Sequence, residues 1–181
     1  MADHSTIKKC VERWLQEVVI GLELCPFAKA PMNKKQIRFI VSHANSEEQL
    51  NDDLIKACQH LDLNDDTETT LLICPYILKD FFDFCQFLNW AHASLKNNQW
   101  QSVYQIAHFH PDYCFTGTEP EHSQNLTNRS PYPILHILRE ASLEKALKNF
   151  DKPESIPEKN IQTMNKLSEG EKRRYFNYLF S

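Results

Sequence analysis

Two histidines and an aspartate alternate along the segment HFHPD, as His108, His110 and Asp112. Residues two apart on a β-strand share a face, so this set could hold a metal ion, or His110 could transfer protons while Asp112 orients it. Pro111 interrupts the strand before Asp112 and weakens the metal interpretation. We therefore favour His110 and Asp112 as a catalytic pair and predict neither a bound metal nor another cofactor. The alternative is that Asp112 only forms a turn after Pro111.

Arg129 lies in the segment Asn128-Arg129-Ser130, directly before Pro131. Serine is a favoured N-cap and proline is favoured at the first helical position, so we predict a helix that begins at Ser130. Free amides at a helix N-terminus attract anions. We therefore predict that Asn128, Arg129 and Ser130, together with Tyr113, bind a small anionic ligand. The alternative is that a carboxylate of the protein pairs with Arg129.

Cys25 precedes Pro26 between a predicted helix and a loop. A thiol beside a cation can act as a nucleophile, which makes Cys25 an outside candidate for catalysis. No base is adjacent in sequence, so the interpretation as a buried thiol is favoured. A Cys-Pro dipeptide also occurs at Cys74 and can ligate haem iron, but a dipeptide alone does not identify such a site.

His136, Arg139 and Glu140 interrupt an otherwise apolar segment. In the helix predicted from Ser130 they would lie at positions i, i+3 and i+4, on one face. Because buried charges must be paired, we predict that the three form an internal hydrogen-bonded lattice that supports the loop and Arg129. Direct contact with a ligand is the alternative.

The segments GLELCPFA, ETTLLICP, FHPDYCF and NRSPYPILHILREAS resemble an uncharacterised bacterial protein family, domain-of-unknown-function family fourteen-fifteen. The resemblance covers about Trp14 to Asn165 and implies no reaction. It does imply that certain residues belong to the family's motifs, and that His108 does not. These motif residues are Cys25, Pro26, Phe27, His110, Pro111, Asp112, Tyr113, Asn128, Arg129, Ser130, His136, Arg139 and Glu140.

Three short apolar segments, 36–42, 68–74 and 102–109, predict β-strands, and helical patterns lie between them. This order is typical of an α/β fold with a small, mostly parallel or mixed sheet of three or more strands, helices on its faces and a helical C-terminal tail. We expect a single domain over residues 1–181, with 151–181 as a helical extension. If the strands are parallel, their carboxyl ends share one edge of the sheet, where ligands bind in such folds. We therefore predict one cavity at that edge, lined by the candidate residues on the segments that follow the strands.

Composition excludes several classes of protein. A formal net charge of -4 argues against a nucleic-acid partner, and no apolar run is long enough to span a membrane. Only 3 glycines occur, too dispersed for a phosphate-binding glycine-rich loop. The 6 cysteines show no Cys-x-x-Cys pair, and the first residues do not match a signal peptide. We therefore expect a cytoplasmic protein with reduced thiols.

The leading functional hypothesis is a cytoplasmic enzyme that acts on a small anionic metabolite through His110, Asp112 and Arg129 at the carboxyl edge of the sheet. One alternative is a non-catalytic regulatory module that binds a ligand, a metal or haem in the same pocket. A second is a partner-binding structural protein whose motifs only maintain the fold. The sequence leaves the substrate, the reaction and the oligomeric state open.

Overall fold

The computed structural model describes residues 3–148 and 152–180. Its four strands are β1 (Ile37–Val41), β2 (Thr69–Ile73), β3 (Tyr104–Phe109) and β4 (Ile134–Arg139). Its α-helices are α1 (His4–Trp14), α2 (Lys29–Asn33), α3 (Glu47–Leu63), α4 (Phe81–Asn97), α5 (Glu140–Lys148), α6 (Ile156–Lys166) and α7 (Glu169–Tyr175). A π-helix, Leu15–Ile20, continues α1, and short 3-10 helices cover Ser123–Asn128, Pro153–Ser155 and Asn177–Leu179. None of the helices in these ranges is both long and apolar enough to cross a bilayer.

The strands form one mixed sheet in the order β1-β2-β4-β3. β1 and β2 are parallel, and β4 is antiparallel to both β2 and β3. Consequently β1, β2 and β3 all point in one direction, and their carboxyl ends lie at one edge together with the start of β4. The α/β fold with a mixed sheet and a helical C-terminal region is confirmed.

Each face of the sheet is covered by helices, and each has its own apolar core. α3 and α4 pack on one face, where Leu72, Leu135 and Ile137 contribute side chains from the strands. α1, its π-helical extension and the C-terminal helices pack on the other face, against Leu71 and Ile134. Because β2 is covered on both faces, all five of its residues are buried, which explains its continuous run of Thr and aliphatic residues.

The helix predicted from Ser130 is wrong, because this segment forms β4 instead. β4 inserts between β2 and β3, and its backbone pairs with both neighbours from Ile134 to Leu138. The Ser130 hydroxyl donates a hydrogen bond to the Tyr132 carbonyl at 2.6 Å rather than capping a helix. Two ladders of backbone hydrogen bonds outweigh a local capping signal, and the apolar residues of β4 fill both cores. A helix begins only at Glu140, as α5.

The C-terminal helices pack on the second core. Met164 and Phe176 are fully buried there. The Asn160 side chain donates to the Leu24 carbonyl at 2.8 Å, and the Tyr178 hydroxyl donates to the Arg129 carbonyl at 3.3 Å. These contacts connect the C-terminal segment to the turn before Cys25 and to the segment that leads into β4.

The end of the π-helix depends on Gly21. The Gly21 amide donates to the Gln16 carbonyl at 3.0 Å, the five-residue step that defines a π-turn. A Cβ atom at this position would lie 2.3 Å from the Glu17 carbonyl oxygen. The wider π-turn therefore brings the backbone so close that only glycine fits.

We predict that Gly21→Ala lowers the free energy of unfolding by about 1–3 kcal/mol, because the backbone must shift to accept the methyl group. Urea denaturation of the purified variant measures this loss. Gly170→Ala is the matched control, since a Cβ there meets no atom within 4 Å and alanine favours the helix by up to about 1 kcal/mol. Equal stability of the two variants would contradict this account of the π-turn.

Candidate functional site

His110 is fully buried directly after β3. Its Nδ1 atom accepts a hydrogen bond from the Asp112 amide at 3.0 Å, so the ring proton lies on Nε2, which donates to the Leu78 carbonyl at 3.0 Å. The ring packs against Phe81 and Phe84, with centroid distances of 5.3 and 5.1 Å. Burial lowers the pKa of His110. Both ring nitrogens are therefore occupied by backbone groups, in an environment that favours the neutral form.

The structure gives Asp112 and Tyr113 different contacts from those expected. It is the backbone amide of Asp112, not the carboxylate, that orients His110. Tyr113 is buried and packs against Phe81 at 5.0 Å and against the ring of His108 at 5.6 Å. Burial also raises the pKa of the Tyr113 hydroxyl. These residues fill the space at the end of β3 with aromatic packing.

Arg129 binds backbone carbonyls. Its Nε atom donates to the Tyr113 carbonyl at 3.2 Å, and its Nη2 atom donates to the Pro120 carbonyl at 2.7 Å. The Arg129 carbonyl in turn accepts a hydrogen bond from the Trp14 indole at 3.0 Å. The helix N-terminus expected beside Arg129 to attract an anion is not formed, which removes the dipole argument for an anion site. Two carbonyls of the preceding loop, those of Tyr113 and Pro120, bind the guanidinium instead.

Asn125 organises the same loop and was missed by the sequence analysis. Its side chain is buried, and its Oδ1 atom accepts hydrogen bonds from the Phe115 amide and the Thr118 hydroxyl at 3.0 and 2.9 Å. Its Nδ2 atom donates to the Glu119 and Pro120 carbonyls at 2.8 and 3.2 Å. No spacing or composition signal distinguishes this asparagine from a solvent-exposed loop residue, so only the folded loop identifies it.

Asn128 and Ser130 complete the connection between the loop and β3. The His110 amide donates to the Asn128 carbonyl at 3.2 Å, and the Ser130 amide donates to the His110 carbonyl at 3.4 Å. The Asn128 side chain donates to the His108 carbonyl at 3.3 Å. The predicted ligand-binding residues thus meet at the carboxyl edge of the sheet, but they bond to one another's backbone.

The lattice predicted for His136, Arg139 and Glu140 is wrong. Side chains alternate along a strand, so His136 and Arg139 lie on opposite faces of β4. Arg139 donates to the carbonyls of Leu61, Asn64 and Thr67, at 2.5, 3.2 and 3.2 Å. It therefore satisfies carbonyl groups at the end of α3, where a cation is favourable. Glu140 starts α5 and lines a shallow polar depression beside α4.

A cavity of about 500 Å³ lies over the other face of the sheet, toward the amino ends of β1 and β2. Its walls come from α1, the π-helix, residues 25–36, the sheet and α5. Most of the lining is apolar and includes Trp14, Leu15, Val19, Phe27, Phe109 and Leu138. This size is ordinary for a small-molecule site, and the sequence analysis did not predict a cavity at this position.

His136 and Thr69 are polar groups on the sheet side of this cavity. The Thr69 hydroxyl lies 2.7 Å from Nε2 of His136 and donates to the Ile137 carbonyl at 2.6 Å. Burial lowers the pKa of His136 to about 4, so the ring is neutral at physiological pH. Within the described ranges, no residue forms a hydrogen bond with Nδ1 of His136.

Cys25 borders the same cavity, at the turn that leads into α2. Burial raises the pKa of its thiol, although the amides of Phe27 and Ala28 partly oppose that effect. The thiol is therefore protonated at neutral pH and is not activated as a nucleophile. Cys25 and His110 lie on opposite sides of the sheet, because His110 packs against α4 whereas Cys25 belongs to the core beneath α1. The predicted catalytic residues are thus not brought into one site.

Charged side chains border the cavity where it opens to solvent. Lys34 and Lys145 are exposed lining residues, and Glu68 is partly buried. Arg139 also lines the cavity, but its guanidinium is bound to the carbonyls near α3. Among residues 3–148 and 152–180, no three His, Cys, Asp or Glu side chains are arranged to hold a metal ion.

The fold and the cavity define an α/β protein with a small-molecule-sized apolar pocket. A family model described as protein of unknown function (DUF1415) matches residues 6–174, and the chain belongs to this family. No curated protein and no solved structure matched the chain. The predicted family resemblance is confirmed.

We predict that His136 makes the protein less stable in mild acid. Its pKa of about 4 in the folded state lies below the value of about 6.5 in an unfolded chain, so the unfolded state binds the proton first. The stability present above pH ~6.5 is therefore lost as the pH falls toward ~4, by up to about 3 kcal/mol from this residue. His136→Gln should lose less stability than wild type between these pH values in urea denaturation. His92→Gln, at an exposed position, is the control, and identical pH profiles for all three proteins would refute the prediction.

We also predict that Arg139→Met lowers the free energy of unfolding by about 2–3 kcal/mol, since several carbonyls lose a charged donor. Glu140→Ala should cost about 1 kcal/mol or less, as expected for an acidic residue in the first turn of a helix. Thermal and urea melts of both variants test this order, whereas an internal lattice of His136, Arg139 and Glu140 would make the two losses similar. Losses of about 3–5 kcal/mol for both variants would restore the lattice hypothesis.

Proposed function

We propose that this protein binds a small amphipathic molecule, with an apolar body and an acidic group, in the cavity between α1, α5 and the sheet. The observation that carries the proposal is the apolar cavity of about 500 Å³, whose wall holds a ring nitrogen of His136 that has no hydrogen-bond partner among the described residues. Pockets of this kind, with an apolar lining and a few oriented polar groups, are the usual form of a ligand site.

The contacts of His110 favour this function over catalysis at the carboxyl edge. A general base needs a free lone pair, and Nδ1 of His110 is occupied by the Asp112 amide. Arg129 is likewise engaged by the carbonyls of Tyr113 and Pro120. The motif residues at that edge are therefore better explained as a scaffold that orders the loop before β4.

We still propose an acidic ligand, but the reason is now the charge at the opening of the cavity and no longer Arg129. Lys34, Lys145 and Glu68 line the cavity near its opening. The formal charge of these three side chains together is positive. A carboxylate placed there would stay partly hydrated while its apolar body occupies the pocket. Attraction of this kind is screened by salt, so affinity should fall as ionic strength rises.

Titration with para-methylphenylacetate, followed by amide chemical shifts, tests the proposal. We expect saturable shifts for residues around Cys25 and His136, and weaker binding of the uncharged analogue para-xylene. Ala107→Leu should abolish binding, because Ala107 lines the cavity floor and the added carbons occupy the ligand's space.

Ala93→Leu is the matched control, since Ala93 is exposed on α4 and lies outside this cavity. The control should bind para-methylphenylacetate like wild type. Shifts that map to the loop around Arg129 instead, or that persist unchanged in Ala107→Leu, would refute the proposed site. Absence of any shift up to the solubility limit of the acid would refute its proposed ligand class.

A further inference from the structure

We infer that the sheet side of the cavity selects a ligand with a hydroxyl or N–H donor, because the Thr69 hydroxyl holds His136 as a hydrogen-bond acceptor. This inference rests on the proposed function and specifies the ligand further. It assigns Thr69 as a positioning residue and His136 as the residue that contacts the ligand's donor.

The Thr69 hydroxyl has a single proton to donate. Thr69 starts β2 and faces β4, where its Oγ1 atom lies 2.6 Å from the Ile137 carbonyl oxygen. A carbonyl can only accept, so the hydroxyl proton is committed to this bond. The same Oγ1 atom lies 2.7 Å from Nε2 of His136 and can act there only as an acceptor. The proton in that contact must therefore belong to Nε2 of the imidazole.

A neutral imidazole carries one ring proton, so a proton on Nε2 leaves Nδ1 with a lone pair. No hydrogen bond to this atom is formed by residues 3–148 or 152–180. The His136 residue is only partly buried, whereas Nδ1 of His108 is buried and has no partner among the described residues. Because His136 and Thr69 both line the cavity, the open lone pair is available to a molecule bound there.

The surroundings of His136 keep it in this acceptor state. Burial favours the neutral ring, and the Phe109 ring, whose centroid lies 6.4 Å from that of His136, offers no proton. A ligand carboxylate at this position would place its lone pairs against that of Nδ1. The acidic group must therefore point to the opening near Lys34 and Lys145, with the donor at the opposite end of the ligand.

Two acids that differ only in their para substituent can show whether the cavity selects a hydrogen-bond donor or only an apolar group. Para-hydroxyphenylacetate carries a hydroxyl where para-methylphenylacetate carries a methyl group of similar size. An apolar pocket alone favours the methyl compound, because the hydroxyl must leave water without compensation. With Nδ1 as acceptor, wild type should bind the hydroxyl compound about three- to tenfold more tightly by calorimetry, the ratio expected for one net hydrogen bond.

Thr69→Val keeps the shape of the side chain and removes the hydroxyl, so the preference for the hydroxyl compound should fall to about one or reverse. Thr69→Ser restores the hydroxyl and should restore the preference. Circular dichroism verifies that both variants fold. If Thr69→Val does not fold, wild type and Thr69→Ser with the two acids still test the inference.

Long-range proton–nitrogen spectra of the histidine rings give a readout that needs no ligand. We expect the Nε2-protonated form for His136 in wild type and a mixture in Thr69→Val. A proton on Nδ1 in wild type, or equal affinity for the two acids, would overturn the inference and leave the proposed function intact. Failure of both acids to bind would instead overturn the proposed function.

Discussion

Insertion of β4 between β2 and β3 is the constraint on which the rest of the structure depends. β4 forms antiparallel backbone hydrogen bonds with β2 on one side and with β3 on the other. As a result β3 runs parallel to β2, with β4 between them. It also directs Leu135 and Ile137 into one core and Ile134 into the other. Without β4, β3 would have no partner strand and the two cores would lose their common wall.

The loop before β4 must deliver this strand in the correct register, and hydrogen bonds from Asn125, Arg129 and His110 hold the loop in place. Asn125 and Arg129 bind the loop's own carbonyls, while His110 exchanges backbone hydrogen bonds with Asn128 and Ser130. Because the side-chain repeat of a strand is two residues, a slip of one position would turn His136 away from the cavity and bury Arg139 beneath α1. The hydrogen bonds of these polar residues hold the loop that leads into β4.

The cavity follows from the same arrangement. The π-helix ends at Gly21, and the segment from Leu22 to Gln36 must then cross over the sheet to reach β1, which leaves space above His136 and Ala107. α5 borders that space although none of its residues is buried. A histidine in the middle of a central strand is costly to bury. Within the part of the chain that the structure describes, only one of the two His136 nitrogens has a partner, the Thr69 hydroxyl. We regard this incomplete satisfaction as the feature that distinguishes a ligand site from ordinary core packing.

The sequence by itself determined the positions of β1, β2 and β3, the helices between them, and the family. Hydrophobic periodicity and short sequence motifs are local properties, so they can be read without the tertiary structure. It could not decide between helix and strand for residues 134–139, since Ser130 and Pro131 signal a helix start whereas the apolar run also suits a central strand. Only tertiary pairing with β2 and β3 decided that choice, and with it the neighbours of His136, Arg139 and Glu140. The role of His110 was equally beyond local information, because the Leu78 carbonyl that it binds comes from a segment that meets it only in the folded chain. The role of Asn125 depends on the folded shape of its own loop, which no local pattern predicts.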